Sequence, residues 1–166
     1  MSTKKIILSL ALFSLMGCNC STKKNIIISR QYNTIVEESR VSLQDDFITK
    51  AGNKVYFSFD EATLSDETKD TIKRQANWLK DNPLVSALIE GHCDEIGTKD
   101  YNLALGLRRA KAVNNFLIAQ GIDKTRLTVI SYGKERPEFR GHTKDVHKLN
   151  RRSVTIIVNE QGDRNI

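Results

Sequence analysis

The chain has 166 residues, of which 28% are charged and 7% aromatic, and its formal net charge is +6. Its lysines and arginines are interspersed with acids, without the long basic block of a nucleic-acid-binding arm, so no nucleic-acid partner is expected. No internal repeat or low-complexity run is present, and about 110 to 120 residues look foldable, enough for one domain with its own core.

Lys4 and Lys5 precede an apolar run from Ile6 to Met16. A short basic segment, an apolar stretch and a small residue before the break describe a secretory signal. The run is shorter than the roughly 20 residues of a membrane-spanning helix. It ends in Leu15-Met16-Gly17-Cys18, which resembles the bacterial lipobox, where the signal is cut just before a cysteine that is then lipidated. Residues 1–17 are therefore expected to be a lipoprotein signal peptide, and Cys18 the lipidated residue. Each buried acyl CH₂ contributes about 0.8 kcal/mol, so several chains hold a protein firmly to one leaflet. Asn19 in place of Asp after the cysteine favours, by the same resemblance, the outer membrane of a Gram-negative bacterium. Removing the signal takes away two lysines and no acid, leaving 24 Lys and Arg against 20 Asp and Glu, near +4. Cys20 lies in the tether and Cys93 far inside the foldable region, so no structural bridge between them is expected; Cys20 could as easily link two chains.

Residues 18–50 read as the lipidated N-terminus and a polar tether. Near its end, Val36, Val41, Leu43, Phe47 and Ile48 suggest a short helix. The domain is expected over residues 51–160, with a tail at 161–166. In VYFSF, Val55, Phe57 and Phe59 alternate with Tyr56 and Ser58, which predicts a strand with one buried aromatic face and Asp60 at its end. Ser65 is a good N-cap with Asp66 and Glu67 in the following turn; Ile72, Ala76 and Leu79 form the buried stripe, and Pro83 stops the helix. A second strand is predicted from Leu84 to Glu90, and a second helix from Asn102 to Gln120, ended by Gly121. Strands at Leu127–Tyr132 and Arg152–Val158 follow, separated by an irregular stretch with a short helix. The order βαβαββ predicts an α/β two-layer sandwich, one mixed sheet with helices packed on it.

The stretch EGHCDEIGTKDYN, Glu90 to Asn102, concentrates the residue types that do most chemistry. If the strand persists, His92 and Asp94 face one way and Cys93 and Glu95 the other. Adjacent residues on an extended backbone do not converge on one ion, and zinc needs three or four ligands, so no metal is expected. A cysteine nucleophile needs a base from elsewhere in the fold, and His92 is poorly placed for Cys93. On the following helix, Leu103, Gly106, Ala110, Val113 and Leu117 form the buried stripe, Arg109 lies at its edge, and Arg108 faces water. Asn102, Leu105 and Arg109 share one ridge. A carboxylate at Asp94, an amide at Asn102 and a guanidinium at Arg109 suit a zwitterionic ligand, since Arg forks onto a carboxylate and Asp accepts from an ammonium. An internal Asp94–Arg109 ion pair is the alternative.

EGHCDEIGTKDYNLALGLRRAKAV closely resembles the signature of OmpA-like domains, roughly T/A-D-x-x-G-x-x-x-x-N-x-x-L-x-x-x-R-A-x-x-V, with Asp94, Gly97, Asn102, Leu105, Arg109, Ala110 and Val113 in register. VYFSFD, SYGKERP and GHT…LNRRSV are similar to the peptidoglycan-associated lipoprotein (Pal) branch of that family, and the likeness spans about Lys54 to Val158. The resemblance implies non-covalent binding of the peptidoglycan stem peptide through meso-diaminopimelate, Asp94 taking its ammonium and Arg109 its carboxylate. Asn102 and Leu105 would line the site, and Asp60 contribute at its edge. It also implies a lipid-anchored periplasmic domain that ties outer membrane to cell wall, with the Tol system, especially TolB, as protein partner, and neither catalysis nor cofactor. Cys93 stands where the family usually has Thr or Ala, and Ile96 where the Pal branch often has Arg. The competing expectation is a cell-wall hydrolase or amidase using Cys93 or a metal; a third is a structural lipoprotein with no ligand.

Overall fold

The structure is a computed structural model that describes residue 34 and residues 43–159. The signal segment, Cys18, Cys20 and the tail at 161–166 lie outside the described residues. The described elements run α1 (residues 43–51), β1 (Lys54–Tyr56), α2 (Asp66–Asp81), β2 (Val85–His92), α3 (Lys99–Ala119), a 3₁₀ turn (Lys124–Arg126), β3 (Leu127–Gly133), α4 (Lys144–Asn150) and β4 (Arg152–Asn159). The four strands form one sheet in the order β1-β4-β2-β3. The β2–β3 pair is parallel, whereas β4 runs antiparallel to both β1 and β2. This is the mixed-sheet α/β architecture expected from the element order.

Local chemistry explains the helix limits. Ser65 Oγ accepts from the Thr68 amide at 3.2 Å, and Asp66 and Glu67 stand at the positive end of the helix dipole. Asn82 leaves the helical region because Pro83 disfavours it in the preceding residue. Helix α3 begins at Lys99, earlier than the expected Asn102, because Thr98 accepts from the Tyr101 amide and caps it. At its other end Gly121 takes φ 94°, and the Ile122 amide returns to Leu117 O at 3.1 Å, closing a Schellman turn.

The core lies on one side of the sheet. Ile72, Ala76 and Leu79 of α2 and Ala110, Val113 and Leu117 of α3 pack with Val55, Ala87, Ile89 and Ile157 of the strands. Phe47 of α1 is fully buried and meets Trp78 edge-on at 5.1 Å, so the core reaches back beyond residue 51 into what the sequence suggested was tether. Helix α3 crosses β2 where two glycines meet: a Cβ on Gly91 would lie 1.9 Å from Gly106 O. That approach sets the N-terminal half of α3 directly against the end of β2, where the candidate residues gather.

Three expectations are corrected. Strand β1 is only three residues long, and Phe59 is 58% exposed, because the chain leaves the sheet after Tyr56 and turns at Asp60 with φ 59°. Leu103 is 46% exposed, since the close glycine crossing rotates the packed face toward Asn102, Leu105 and Arg109. The alternation expected at the end of β2 also fails. The register shifts at Gly91/His92, and His92, Cys93 and Asp94 are all buried while Glu95 is exposed.

Candidate functional site

Arg109 is the largest side chain in the domain with no exposed surface. Its Nε donates to Glu61 O at 2.8 Å, Nη1 to His92 O at 2.9 Å and Cys93 Sγ at 3.5 Å, and Nη2 to Ser58 O at 3.0 Å. The Phe57 ring lies 5.2 Å from the guanidinium carbon. The sequence placed Arg109 at the edge of a packed face; it is instead enclosed, joining the loop after β1 to the end of β2. Loss of water lowers the pKa of its guanidinium, opposed by Cys93 and Asp94.

Asp94 is almost fully buried, and its direct ion partner is Arg151, with Nη1 3.1 Å from Oδ2. The internal Asp94–Arg109 pair entertained from spacing is therefore replaced by Asp94–Arg151. Asp94 Oδ1 accepts from the Ile96 amide at 3.2 Å. Arg151 Nε donates to Phe57 O at 3.2 Å, so both arginines grip the same loop. No role was read for Arg151 in the sequence. Its segment, LNRRSV, stood out, but it lies 57 residues from Asp94 and only the sheet topology brings them together.

The remaining candidates frame this group. Asn102 is buried and donates from Nδ2 to Ile96 O at 2.8 Å and Thr98 O at 3.1 Å, holding the β2–α3 loop in shape. Gly97 takes φ 98° within that loop. Leu105, one helical turn before Arg109, is buried beside it. Asp60 is exposed and accepts from the Tyr101 hydroxyl, a bond that raises the tyrosine pKa. Phe59, Ile96 and Tyr101 are exposed apolar side chains on the same loops and helix end.

A model of the OmpA family matches residues 56–151, more than half the chain. The chain belongs to the OmpA family. Its relatives include the peptidoglycan-associated lipoprotein of Agrobacterium fabrum, 41% identical over 114 residues, which cover 69% of this chain and 64% of that protein's length. The peptidoglycan-associated lipoprotein of Brucella melitensis is 36% identical over 152 residues, 90% of each chain. Among solved structures, the peptidoglycan-associated lipoprotein from Burkholderia pseudomallei superposes with a TM-score of 0.62 at 37% identity, covering 64% of this chain and 90% of that one. The C-terminal domain of Helicobacter pylori MotB, at 19% identity and a TM-score of 0.61, shares the fold alone; the match covers 66% of this chain and 86% of that one.

Within this OmpA-family domain, His92 and Cys93 do not act on each other. Cys93 is a free, buried thiol that donates to Asn102 O at 3.3 Å, and burial pushes its pKa up. His92 Nε2 meets Glu90 Oε2 at 3.3 Å, and its Nδ1 has no partner. A raised thiol without a base is not an activated nucleophile. Among the described residues, no group of three His, Cys, Asp or Glu side chains is placed to hold a metal. No described helix is long and apolar enough to cross a membrane.

Proposed function

We infer that the protein holds peptidoglycan non-covalently through the diaminopimelate of its stem peptide, as a binding protein without catalysis. One observation carries the reading: in a buried setting a single carboxylate, Asp94, pairs directly with Arg151 and is felt only through space by the enclosed guanidinium of Arg109. That leaves one positive charge unbalanced, and each arginine lowers its cost by meeting an anion. The amino-acid end of diaminopimelate supplies both signs. Its ammonium goes to Asp94, whose Oδ1 is engaged by one backbone amide only. Its carboxylate goes to the arginines. Four of Arg109's five N–H groups already meet protein acceptors, against two of Arg151's. Arg151 therefore contributes most of the fork, with Arg109 behind it as a positioning charge with one donor left. Asn102 and Leu105 shape the wall, and Asp60 stands at the mouth with Tyr101.

The relatives' names support the wider role. The proposed setting is a lipoprotein anchored through Cys18 in the outer membrane of a Gram-negative bacterium, its domain in the periplasm, linking membrane to wall within the Tol–Pal system with TolB as partner. Sedimentation with purified peptidoglycan tests the site. Asp94→Asn keeps the side chain's shape and its bond to the Ile96 amide but removes its charge, and is expected to weaken binding at least about tenfold. Pull-down by Asp94→Asn equal to that of the unaltered protein would overturn the assignment.

A further inference from the structure

A second cleft, with a volume of about 530 Å³, opens beside the clamp and is lined by Glu95, Lys134, Glu135, Phe139, Arg140 and Asn150 among others. That size falls in the range of small-ligand sites, about 300–1,000 Å³. Its walls are cross-tied. Asn150 Oδ1 accepts from the amides of Glu138 and Phe139 at 2.9 and 3.1 Å, and its Nδ2 donates to Phe139 O at 2.8 Å. The Phe139 backbone is thus held at both its amide and its carbonyl, yet its side chain is among the exposed large hydrophobics. Lys134 Nζ donates to Gly97 O at 2.6 Å and Glu95 O at 3.3 Å, joining the wall to the β2–α3 loop. Glu95 Oε1 accepts from His142 and from His147 at 3.1 Å, whereas Oε2 has no hydrogen-bond partner among the described residues.

An exposed aromatic side chain on a tied backbone, lining the same cleft as an unused carboxylate oxygen and two cations, is suited to a sugar. The apolar C–H face of a pyranose lies on the phenyl ring, and its hydroxyl and carbonyl groups meet the polar rim. Position points the same way. The clamped end of diaminopimelate reaches the sugar through its own side chain, the γ-linked D-Glu, L-Ala and the lactyl ether; at 3.3–3.6 Å per α-linked residue and more for the γ-linkage, the sugar lies within roughly 20 Å of the clamp, a span that includes this cleft. Glu95 directly follows Asp94, with Cα atoms about 3.8 Å apart across the peptide bond. The cleft on the Arg151 side, about 570 Å³, is lined by Lys54, Lys148 and Arg151 and by several hydroxyls, a setting better suited to carboxylates.

We propose that the Glu95–Phe139 cleft is a glycan subsite, in which the N-acetylmuramyl sugar carrying the bound stem peptide rests on Phe139 and a sugar hydroxyl donates to Glu95 Oε2. This rests on the reading of Asp94 as the diaminopimelate site. Calorimetric titration of the protein compares three ligands: the L-Ala-γ-D-Glu-diaminopimelate tripeptide, the tripeptide on its N-acetylglucosaminyl-N-acetylmuramyl disaccharide, and the disaccharide alone. The disaccharide-tripeptide is expected to bind about tenfold tighter than the tripeptide. Phe139→Ala removes that gain and leaves the tripeptide affinity unchanged, and Phe139→Trp retains it. Equal affinities for the first two ligands, or equal weakening of both by Phe139→Ala, would overturn the subsite. Amide shift changes brought by the sugar at Tyr56 and Thr68 rather than at Phe139 and Arg140 would overturn it too. Binding of the disaccharide alone, lost in Phe139→Ala, with no binding of the tripeptide, would remove the diaminopimelate reading and leave the sugar in this cleft.

Discussion

Arg109→Ala tests whether the buried guanidinium holds the site together. The substitution strips the charged donor from three carbonyls, Ser58, Glu61 and His92, in a place with no exposed surface. Hydrogen bonds to a charged group contribute about 1.5–3 kcal/mol each, but they are not additive, and the guanidinium's own desolvation works against them. Removing one partner of a buried charge network costs about 3–5 kcal/mol, and we expect a loss in that range. For a domain stable by about 5–15 kcal/mol, the variant remains mostly folded unless the margin is at its low end. The protein's single tryptophan, Trp78, is buried against Phe47, so urea unfolding followed by its fluorescence reads the core. The midpoint should fall with little change in slope. Arg109→Lys keeps the charge but loses the fork, and should fall between Ala and the unaltered protein. A loss below about 1 kcal/mol for Arg109→Ala would refute the structural role, since it would mean the three carbonyls find other donors at little cost. The expected loss of stability makes Arg109→Ala a poor probe of binding by itself, which is why Asp94→Asn is the cleaner variant.

Gly91→Ala places a methyl 1.9 Å from Gly106 O and should cost at least about 1–3 kcal/mol, read as a lower melting temperature; an unchanged melt would show that α3 can lift from the sheet cheaply. Phe47→Ala empties a fully buried site between α1 and α2 and should cost about 3–5 kcal/mol in urea unfolding, whereas a loss under about 1 kcal/mol would return α1 to the tether. Hydrogen bonds from His142 and His147 hold the Glu95 carboxyl below its ordinary range, so it adds stability above that range that is lost as pH falls through its folded value. Glu95→Gln should therefore be less stable than the unaltered protein at pH 7, with the difference shrinking as pH falls through and below the ordinary carboxylate range; a gap that stays at its pH 7 size throughout acid titration would refute the linkage. The Cys93 thiol, buried and with its pKa raised, should react with a thiol reagent at pH 7 only as fast as the domain opens; labelling as fast as that of a free thiol would refute its enclosure.

Much of the fold was legible because its signals are local. Ser65 and Thr98 cap helices through their own side chains, Pro83 and Gly121 end them, and the apolar spacing of Ile72, Ala76 and Leu79 depends only on helical geometry. The errors fall where a distant contact decides. Phe59 continues an alternating pattern, yet the strand is already over, because the next carbonyls turn to Arg109 and Arg151 instead of to a neighbouring strand. Leu103 fits a smooth helical stripe, but the Gly91–Gly106 approach sets which stripe faces the sheet, and that is a property of two elements at once.

The candidate site follows the same division. Asp94, Asn102, Leu105 and Arg109 lie within one loop and helix, so spacing alone could group them. Arg151 could not be grouped that way. It reaches Asp94 only because β4 inserts between β1 and β2, which sets the start of β4 beside the end of β2. Its presence changes the chemistry of the group. With Arg109 alone, Asp94 completes a neutral pair and nothing in the charge balance asks for a ligand. With Arg151 added, two positive charges lie over one carboxylate, and Arg109 already feels Arg151 as a neighbour that lowers its pKa. The more buried arginine is bound to backbone and the less buried one has donors to offer, so structural support and ligand binding fall to different residues. Equal effects of Arg109→Lys and Arg151→Lys on both stability and peptidoglycan binding would contradict that division.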